Sequence, residues 1–336
     1  MTNPGSEESG FFYLCAMNKI RIIYFGTPEF AASQLEAILS AGYDVAAVVT
    51  MPDKPAGRGR KIQFSDVKKM ALDHRLPLLQ PERLKDPNFL AQLASYQADL
   101  FVVVAFRMLP AVVWQMPKLG TINLHASLLP QYRGAAPINF AIINGETETG
   151  LTTFFLNEEI DKGAVIMRES VAIRPDETAG ELHDRLMLLG NKVIVETIRK
   201  IEDGDIAPVA QEKLSEDTPL KPAPKITKEF CSIPWDKDCQ TVFNHIRGLS
   251  PYPAAHTRLC SESGDCIEMK VYASEMEPCQ PSVPIGTVIT DNKKHLSIAL
   301  SDGFLHLTMV QQAGKKCMSI AEFLRGTQLT GAWRTA

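Results

Sequence analysis

The 336-residue chain is short of several things, and each shortage removes a class of function. No apolar run approaches the roughly 20 residues that span a bilayer. The FFYLCAM segment near the start follows acidic residues and has no basic flank, so it is a poor secretion signal. No G-x-G-x-x-G follows the first apolar strand, and no G-x-x-x-x-G-K-[S/T] occurs anywhere. That argues against a dinucleotide-binding dehydrogenase and a P-loop ATPase. The seven cysteines (Cys15, Cys231, Cys239, Cys260, Cys266, Cys279 and Cys317) include no C-x-x-C pair. An odd count without paired spacing points to free thiols in a reducing cytoplasm and away from a zinc site. There is no basic excess either: 35 Lys and Arg stand against 39 Asp and Glu, for a net charge of −4. A local basic patch stays open, because the field depends on where charges cluster.

What is present organises into two parts. Lys19–Phe25, Val45–Thr50, Leu100–Ala105 and Thr121–His125 read as buried strands, and helical patterns such as Phe30–Leu39 and Val67–His74 separate them. Strands alternating with helices predict a doubly wound α/β sheet. Leu151–Leu156 continues as strand, Ala164–Arg174 as extended chain, and Thr178–Ile201 as the longest helix. Residues 206–225 are rich in Pro and Lys and read as a connector. Beyond Ile226, short segments such as Ile267–Tyr272 and Leu305–Val310 alternate with turn residues, as in a small barrel or sandwich. The expected fold is therefore a Rossmann-like, mostly parallel sheet domain over 18–205, a linker over 206–225 and a small OB-like β-barrel over 226–336. Residues 1–17, ahead of the first convincing strand, are expected to form a disordered leader.

The chemistry concentrates in INLHASLLP, residues 122–130. Asn123 and His125, two apart on a strand, share one face at the strand's carboxyl end, where parallel sheets bind ligands. An isolated N-x-H is more often a capping Asn and a satisfied core His than a site. Here a second segment, NEEIDKG, supplies Asp161 with Gly163 beside it, and AFRMLP supplies Phe106 to Pro110 as a candidate apolar wall. Asn can donate to a developing oxyanion, His can move a proton near neutral pH, and a carboxylate can orient the ring. No Ser or Cys nucleophile is evident. The residues alone leave acyl transfer, hydrolysis and binding without turnover open. Glu158 and Glu159 are expected at the surface, since an unpaired carboxylate is costly to bury.

Asn123-x-His125-x-Ser127-Leu128-Leu129-Pro130 with a downstream Asp161-x-Gly163 resembles the signature of 10-formyltetrahydrofolate-dependent formyltransferases. GTPEFA, PDKPAGRGRK, SLLPQYRGAAPI and, later, Ile233-Pro234-Trp235, Arg247, Pro251-Tyr252-Pro253 and LTMVQQAGKKCM are similar to the branch that formylates a charged initiator tRNA. The resemblance runs from about Lys19 to about Gly326. It implies transfer of a formyl group from 10-formyltetrahydrofolate to methionine on initiator tRNA, with Asn123, His125 and Asp161 as the catalytic trio. It further implies that Ser127, Leu128, Leu129 and Pro130 line the folate site, and that the pterin is held near Phe106, Met108 and Leu109. Lys54, Arg58, Arg60 and Lys61 of the basic stretch would engage tRNA, as would the C-terminal barrel. Residues 221–336 carry 13 Lys and Arg against 11 acidic residues, while 1–220 carry 22 against 28, a mild asymmetry in the same direction. No metal and no membrane partner are implied, and nothing asks for more than a monomer. AFRMLP departs from the family pattern: it is one residue short and lacks a Tyr-Gly pair. The alternatives are an N-formyltransferase acting on a nucleotide-sugar amine, and a folate- or RNA-binding protein without turnover.

Overall fold

A computed structural model describes residues 20–56, 61–214 and 218–336. The leader expected at 1–17 lies outside these residues, as do Arg58 and Arg60. Among the described residues no helix is long and apolar enough to cross a membrane.

The first part runs β1 (Arg21–Gly26), α1 (Glu29–Ser40), β2 (Asp44–Val49), β3 (Lys54–Ala56), β4 (Lys61–Gln63), α2 (Asp66–Asp73), β5 (Leu78–Leu79), α3 (Pro87–Ser95), β6 (Leu100–Val104), α4 (Ala111–Trp114), β7 (Thr121–His125), α5 (Pro137–Ile143), β8 (Glu148–Phe155), β9 (Val165–Ala172) and α6 (Ala179–Glu202). Seven of these strands form one sheet in the order β5-β2-β1-β6-β7-β8-β9. The first five are parallel, and β8 and β9 join antiparallel. Side chains alternate along β1. Ile22 and Tyr24 pack with α1 and α6 on one face, and Ile23 and Phe25 pack with Phe89 and Leu93 of α3 on the other. A strand buried on both faces must be apolar at every position, which is why these segments carry no period-two signal. Helix starts follow local capping chemistry: Thr178 and Glu181 form a reciprocal capping box at α6.

The second part runs α7 (Cys239–Leu249), β10 (Ala255–Ser261), β11 (Cys266–Pro278), β12 (Val288–Thr290), β13 (Leu296–Ala299), β14 (Gly303–Gln312), β15 (Met318–Ser319), α8 (Ile320–Gly326) and β16 (Trp333–Thr335). The antiparallel order β12-β13-β14-β11-β10-β16 nearly closes on itself, because Thr287 bridges Arg334 and Thr335 N donates to Gly286 O at 2.9 Å. Val242, Ile246 and Leu249 of α7 share the barrel core with Val271, Leu305 and Phe323. The expected fold, a mostly parallel Rossmann-like sheet followed by a small barrel, is the one observed.

One detail differs from expectation, and a second goes beyond it. Cys260 and Cys266, expected as free thiols, face each other directly on β10 and β11 with Cα atoms 4.2 Å apart and are joined as a disulfide. Hairpin register, invisible in a spacing of six, brings them together. The segment read as a connector is also tied down. Tyr132 N donates to Lys221 O at 2.7 Å, Ala223 N to Arg133 O at 2.8 Å, and Ala135 N to Ala223 O at 2.7 Å. Residues 221–223 thus lie as a strap along the loop that follows β7. Beyond the strap, Gly248 lets α7 approach α5 closely: a Cβ there would stand 2.5 Å from Ile143 Cγ1. Asn139 Nδ2 donates to Gly248 O at 2.7 Å, and Arg247 Nη1 to Glu177 O at 2.9 Å, across the same seam.

Candidate active site

In this sheet the chain leaves β1 toward β2 and β5, then returns on the other side through β6 and β7. Neighbouring strand ends therefore diverge between β1 and β6, and a crevice opens there. It is a cavity of about 1030 Å³, lined on one side by Phe106, Met108, Leu109 and Trp114, on another by Phe30 and Pro137, and at its polar end by Asn123, His125 and Asp161. The size suits a drug-sized organic ligand.

The polar end is built around one loop. His125 is 8% exposed, and its Nε2 lies 2.9 Å from Tyr132 O. A carbonyl oxygen only accepts, so Nε2 carries a hydrogen and Nδ1 is the nitrogen turned toward chemistry. That Nδ1 is 4.0 Å from Asp161 Oδ2, beyond a direct hydrogen bond and within reach of a bridge through one water. Asp161 adopts φ +54°, an uncommon conformation for a residue with a side chain. Its Oδ2 accepts from Gly134 N at 3.0 Å. Gly134 sits at φ +125°, and a Cβ there would come 2.3 Å from Ala223 O, so only glycine fits beneath the strap. Gly163 is as constrained: a Cβ would overlap Phe155 O at 1.5 Å. Asn123 projects into the cavity from the same face as His125, and no hydrogen bond engages its amide among the described residues.

Asn123, His125 and Asp161, expected as the catalytic trio, and Phe106, Met108 and Leu109 therefore converge on one cavity. Ser127, Leu128, Leu129 and Pro130 do not. Ser127 and Leu129 are fully buried behind the site. Ser127 Oγ donates to Gln131 O, Leu129 N donates to Thr152 Oγ1, and the Leu129 side chain packs on Phe154 and Val165. These four residues shape the turn that delivers Tyr132–Gly134. The basic stretch forms a short hairpin of β3 and β4, in which Lys54 pairs with Gln63 and Ala56 with Lys61. Arg107, on the short AFRMLP turn, is committed to the Pro81 and Glu82 carbonyls. Glu158 and Glu159 are exposed at the cavity rim, and Glu159 pairs with Lys162.

Sequence reading marked the loop from Gln131 to Pro137 only as a place where substrate could lie close to the main chain; it did not foresee that Tyr132, Arg133 and Gly134 contact His125, Gln211 and Asp161, and it missed Gln211 entirely. The first three adjoin the recognised motif, so proximity was a usable signal. Gln211 lies 50 residues beyond Asp161 in a stretch of connector-like composition, where nothing marked it.

A sequence profile of the formyl transferase family matches residues 18–198, and one of the formyl transferase C-terminal domain matches residues 225–328. The chain is 52% identical over 315 residues to a methionyl-tRNA formyltransferase of Bacteroides thetaiotaomicron, covering 94% of this chain and 98% of that protein. It is 51% identical over 310 residues to that of Flavobacterium johnsoniae, covering 92% and 97%. Among solved structures it shares its fold with WlaRD, a sugar 3N-formyl transferase, at TM-score 0.62 and 20% identity, covering 88% of this chain and 99% of that one. With both halves matched and relatives aligned over nearly its whole length, the chain belongs to the formyl transferase family.

Proposed function

We propose that the protein transfers the formyl group of 10-formyltetrahydrofolate to the α-amino group of methionine on initiator tRNA. The observation that carries this reading is the convergence of Asn123, His125 and Asp161 at the polar end of an otherwise apolar cavity. Identity of 52% to a methionyl-tRNA formyltransferase supports the choice of acceptor.

The cavity has room for an extended folate, whose flat rings would lie against Phe106 and Met108 with the reacting carbon at the polar end. The donor supplies an electrophilic formyl carbon, and the methionyl amine is the nucleophile. Asn123 Nδ2 donates to the oxygen on which negative charge develops, a role worth roughly 3 kcal/mol of barrier for one well-placed donor. His125 Nδ1 takes the proton released by the attacking amine and passes it to N10 of the donor as the formyl C–N10 bond breaks and tetrahydrofolate leaves, while its Nε2–H stays on Tyr132 O and fixes the ring. Asp161 stabilises the positive charge His125 acquires and orders the proton path between them. All three side chains come from one chain, so the reading asks for no second copy. The acceptor is a translation substrate, and we assign the reaction to the cytoplasm on that ground.

The assay supplies the protein with 10-formyltetrahydrofolate and either charged initiator tRNA or amino-sugar nucleotides. Formyl-methionyl-tRNA is the expected product. Formylation of the sugar amine alone would replace this reading with the sugar one, and formylation of neither would end it as an enzyme.

The β3–β4 hairpin gives a second test. Lys54 and Lys61 lie on its paired arms, and Arg58 and Arg60 lie in the segment between them. Losing phosphate contacts weakens binding without changing chemistry. Replacing Arg58 and Arg60 with Ala should raise KM for tRNA about 10-fold, lower the salt slope of binding by about 2, and leave folate affinity unchanged. Equal loss of both affinities would contradict the assignment.

A further inference from the structure

Three consecutive residues build the polar end of the cavity, and each reaches a different partner. Tyr132 O accepts from His125 Nε2 at 2.9 Å, and Gly134 N donates to Asp161 Oδ2 at 3.0 Å. Between them, Arg133 donates from Nε at 3.0 Å and from Nη2 at 2.6 Å to a single oxygen, Gln211 Oε1. Gln211 has no exposed surface. Its Nε2 donates both hydrogens to main-chain carbonyls of the catalytic loop, Asp161 O at 2.8 Å and Gly163 O at 2.9 Å. The Gln211 amide thus spans from the loop that holds His125 to the loop that bears Asp161.

We infer that Gln211, braced by Arg133, is a positioning residue for formyl transfer: it sets the separation of the Asp161 carboxylate from the His125 imidazole. The inference rests on the proposed function and deepens it. Its physical basis is the state of the Asp161 loop. Asp161 is held at φ +54°, a conformation that persists only where the surroundings over-determine it. Two of the bonds that do so come from Gln211. The remaining one from the opposite loop, Gly134 N to Oδ2, acts on the carboxylate itself. Without the Gln211 bonds the loop main chain is free to relax toward a right-handed conformation, and the carboxylate swings with it. The side-chain chemistry is specific. Only a primary amide on a stem of this length offers two donors to the Asp161 loop and an acceptor to a guanidinium from one buried position. A glutamate would bind Arg133 but could donate to neither carbonyl, and leucine would do neither.

Gln211 touches no substrate, because it lies behind the loop and does not line the cavity. Its loss should therefore appear in turnover and not in binding. A misplacement of about 1 Å in a catalytic group costs up to about 100-fold in rate.

The test measures steady-state formylation of charged initiator tRNA by the full-length protein carrying Gln211→Leu or Gln211→Glu. Thermal unfolding and folate binding are measured on the same samples. The expected result is a 10- to 100-fold fall in kcat, with KM for tRNA and the Kd for folate within about threefold of wild type. Arg133→Met supplies a variant from the less buried end of the brace, should the Gln211 variants fold poorly. It should lower kcat in the same direction, and the double variant should lose less than the product of the two single losses. Unchanged kcat in a folded Gln211 or Arg133 variant overturns the inference. So does a rise in KM and Kd that accounts for the whole loss of activity, because that marks a merely structural role. A wild-type protein that formylates no acceptor fails the proposed function. A wild type that works beside a Gln211 variant that works equally well fails this inference alone.

Discussion

Replacing His125 with Ala should lower kcat for formyl transfer by about 1000-fold and leave tRNA and folate affinity close to wild type. Positioned proton transfer contributes roughly 100- to 10,000-fold in enzymes that use it, and His125 is the imidazole that stands with Asn123 and Asp161 at the polar end of the cavity. The geometry makes the loss chemical. With Nε2–H committed to Tyr132 O, only Nδ1 is free for the proposed proton transfer, so deletion of the ring should remove that step and leave the apolar wall of Phe106 and Leu109 in place. Deletion also strands the Tyr132 carbonyl, at a cost of about 1–3 kcal/mol. A domain stable by roughly 5–15 kcal/mol absorbs that and stays folded, so unfolding does not account for a 1000-fold effect. Single-turnover assays with bound donor and charged tRNA measure it, and transfer at near wild-type rate would remove His125 from the mechanism.

Acidification from pH 7 to pH 5 should cost the protein about 2 kcal/mol of stability through His245 alone. This residue of α7 is 6% exposed, its ring lies 5.3 Å from that of Phe230, and its Nε2 has no hydrogen-bond partner. Burial disfavours the imidazolium and pushes the pKa down to about 4 from the ordinary 6.5, against a smaller opposing effect of a hydrogen bond with the Ser232 main chain. A histidine depressed in the folded state binds its proton more readily when unfolded. Its contribution is therefore fully present above about pH 6.5 and is lost as pH falls toward 4. Over the whole window the loss reaches about 3 kcal/mol. The location gives it a consequence, because Phe230 also packs on Phe140 of α5, at 5.2 Å, across the seam between the two halves. Urea unfolding at pH 7 and pH 5 tests the point: the wild type should lose about 2 kcal/mol more than His245→Phe. Equal losses would show that His245 does not titrate in this way.

Much of the fold was legible because its causes are local. The buried runs of β1, β2 and β6 are apolar at every position, a pattern that parallel central strands require and that is visible in one dimension. Thr178 with Glu181 three residues later announces α6, since a capping box is complete within four residues. By contrast α7 was passed over, although Val242, Ile246 and Leu249 follow helical spacing. Its amphipathic face is short, and the polar residues on the other side, Asn244 and Arg247, are buried at a seam that only the assembled halves create.

The site divides the same way. The two-residue spacing of Asn123 and His125, at the end of a strand in an α/β pattern, determined by itself that both side chains share one face, because strand geometry alternates without reference to anything distant. The sequence also determined that Asp161 stands beside a glycine. What Gly163 prevents, a collision with Phe155 O, appears only in three dimensions. Tertiary structure alone decided how deeply Ser127 and Leu129 are buried, since burial depends on what Thr152 and Phe154 place against them. It alone decided that Cys260 meets Cys266, through hairpin register. And it alone decided that Gln211, from a stretch composed like a linker, spans the loops of His125 and Asp161. A glutamine's two donors and one acceptor are the same everywhere in a sequence, and only the fold determines which groups they meet.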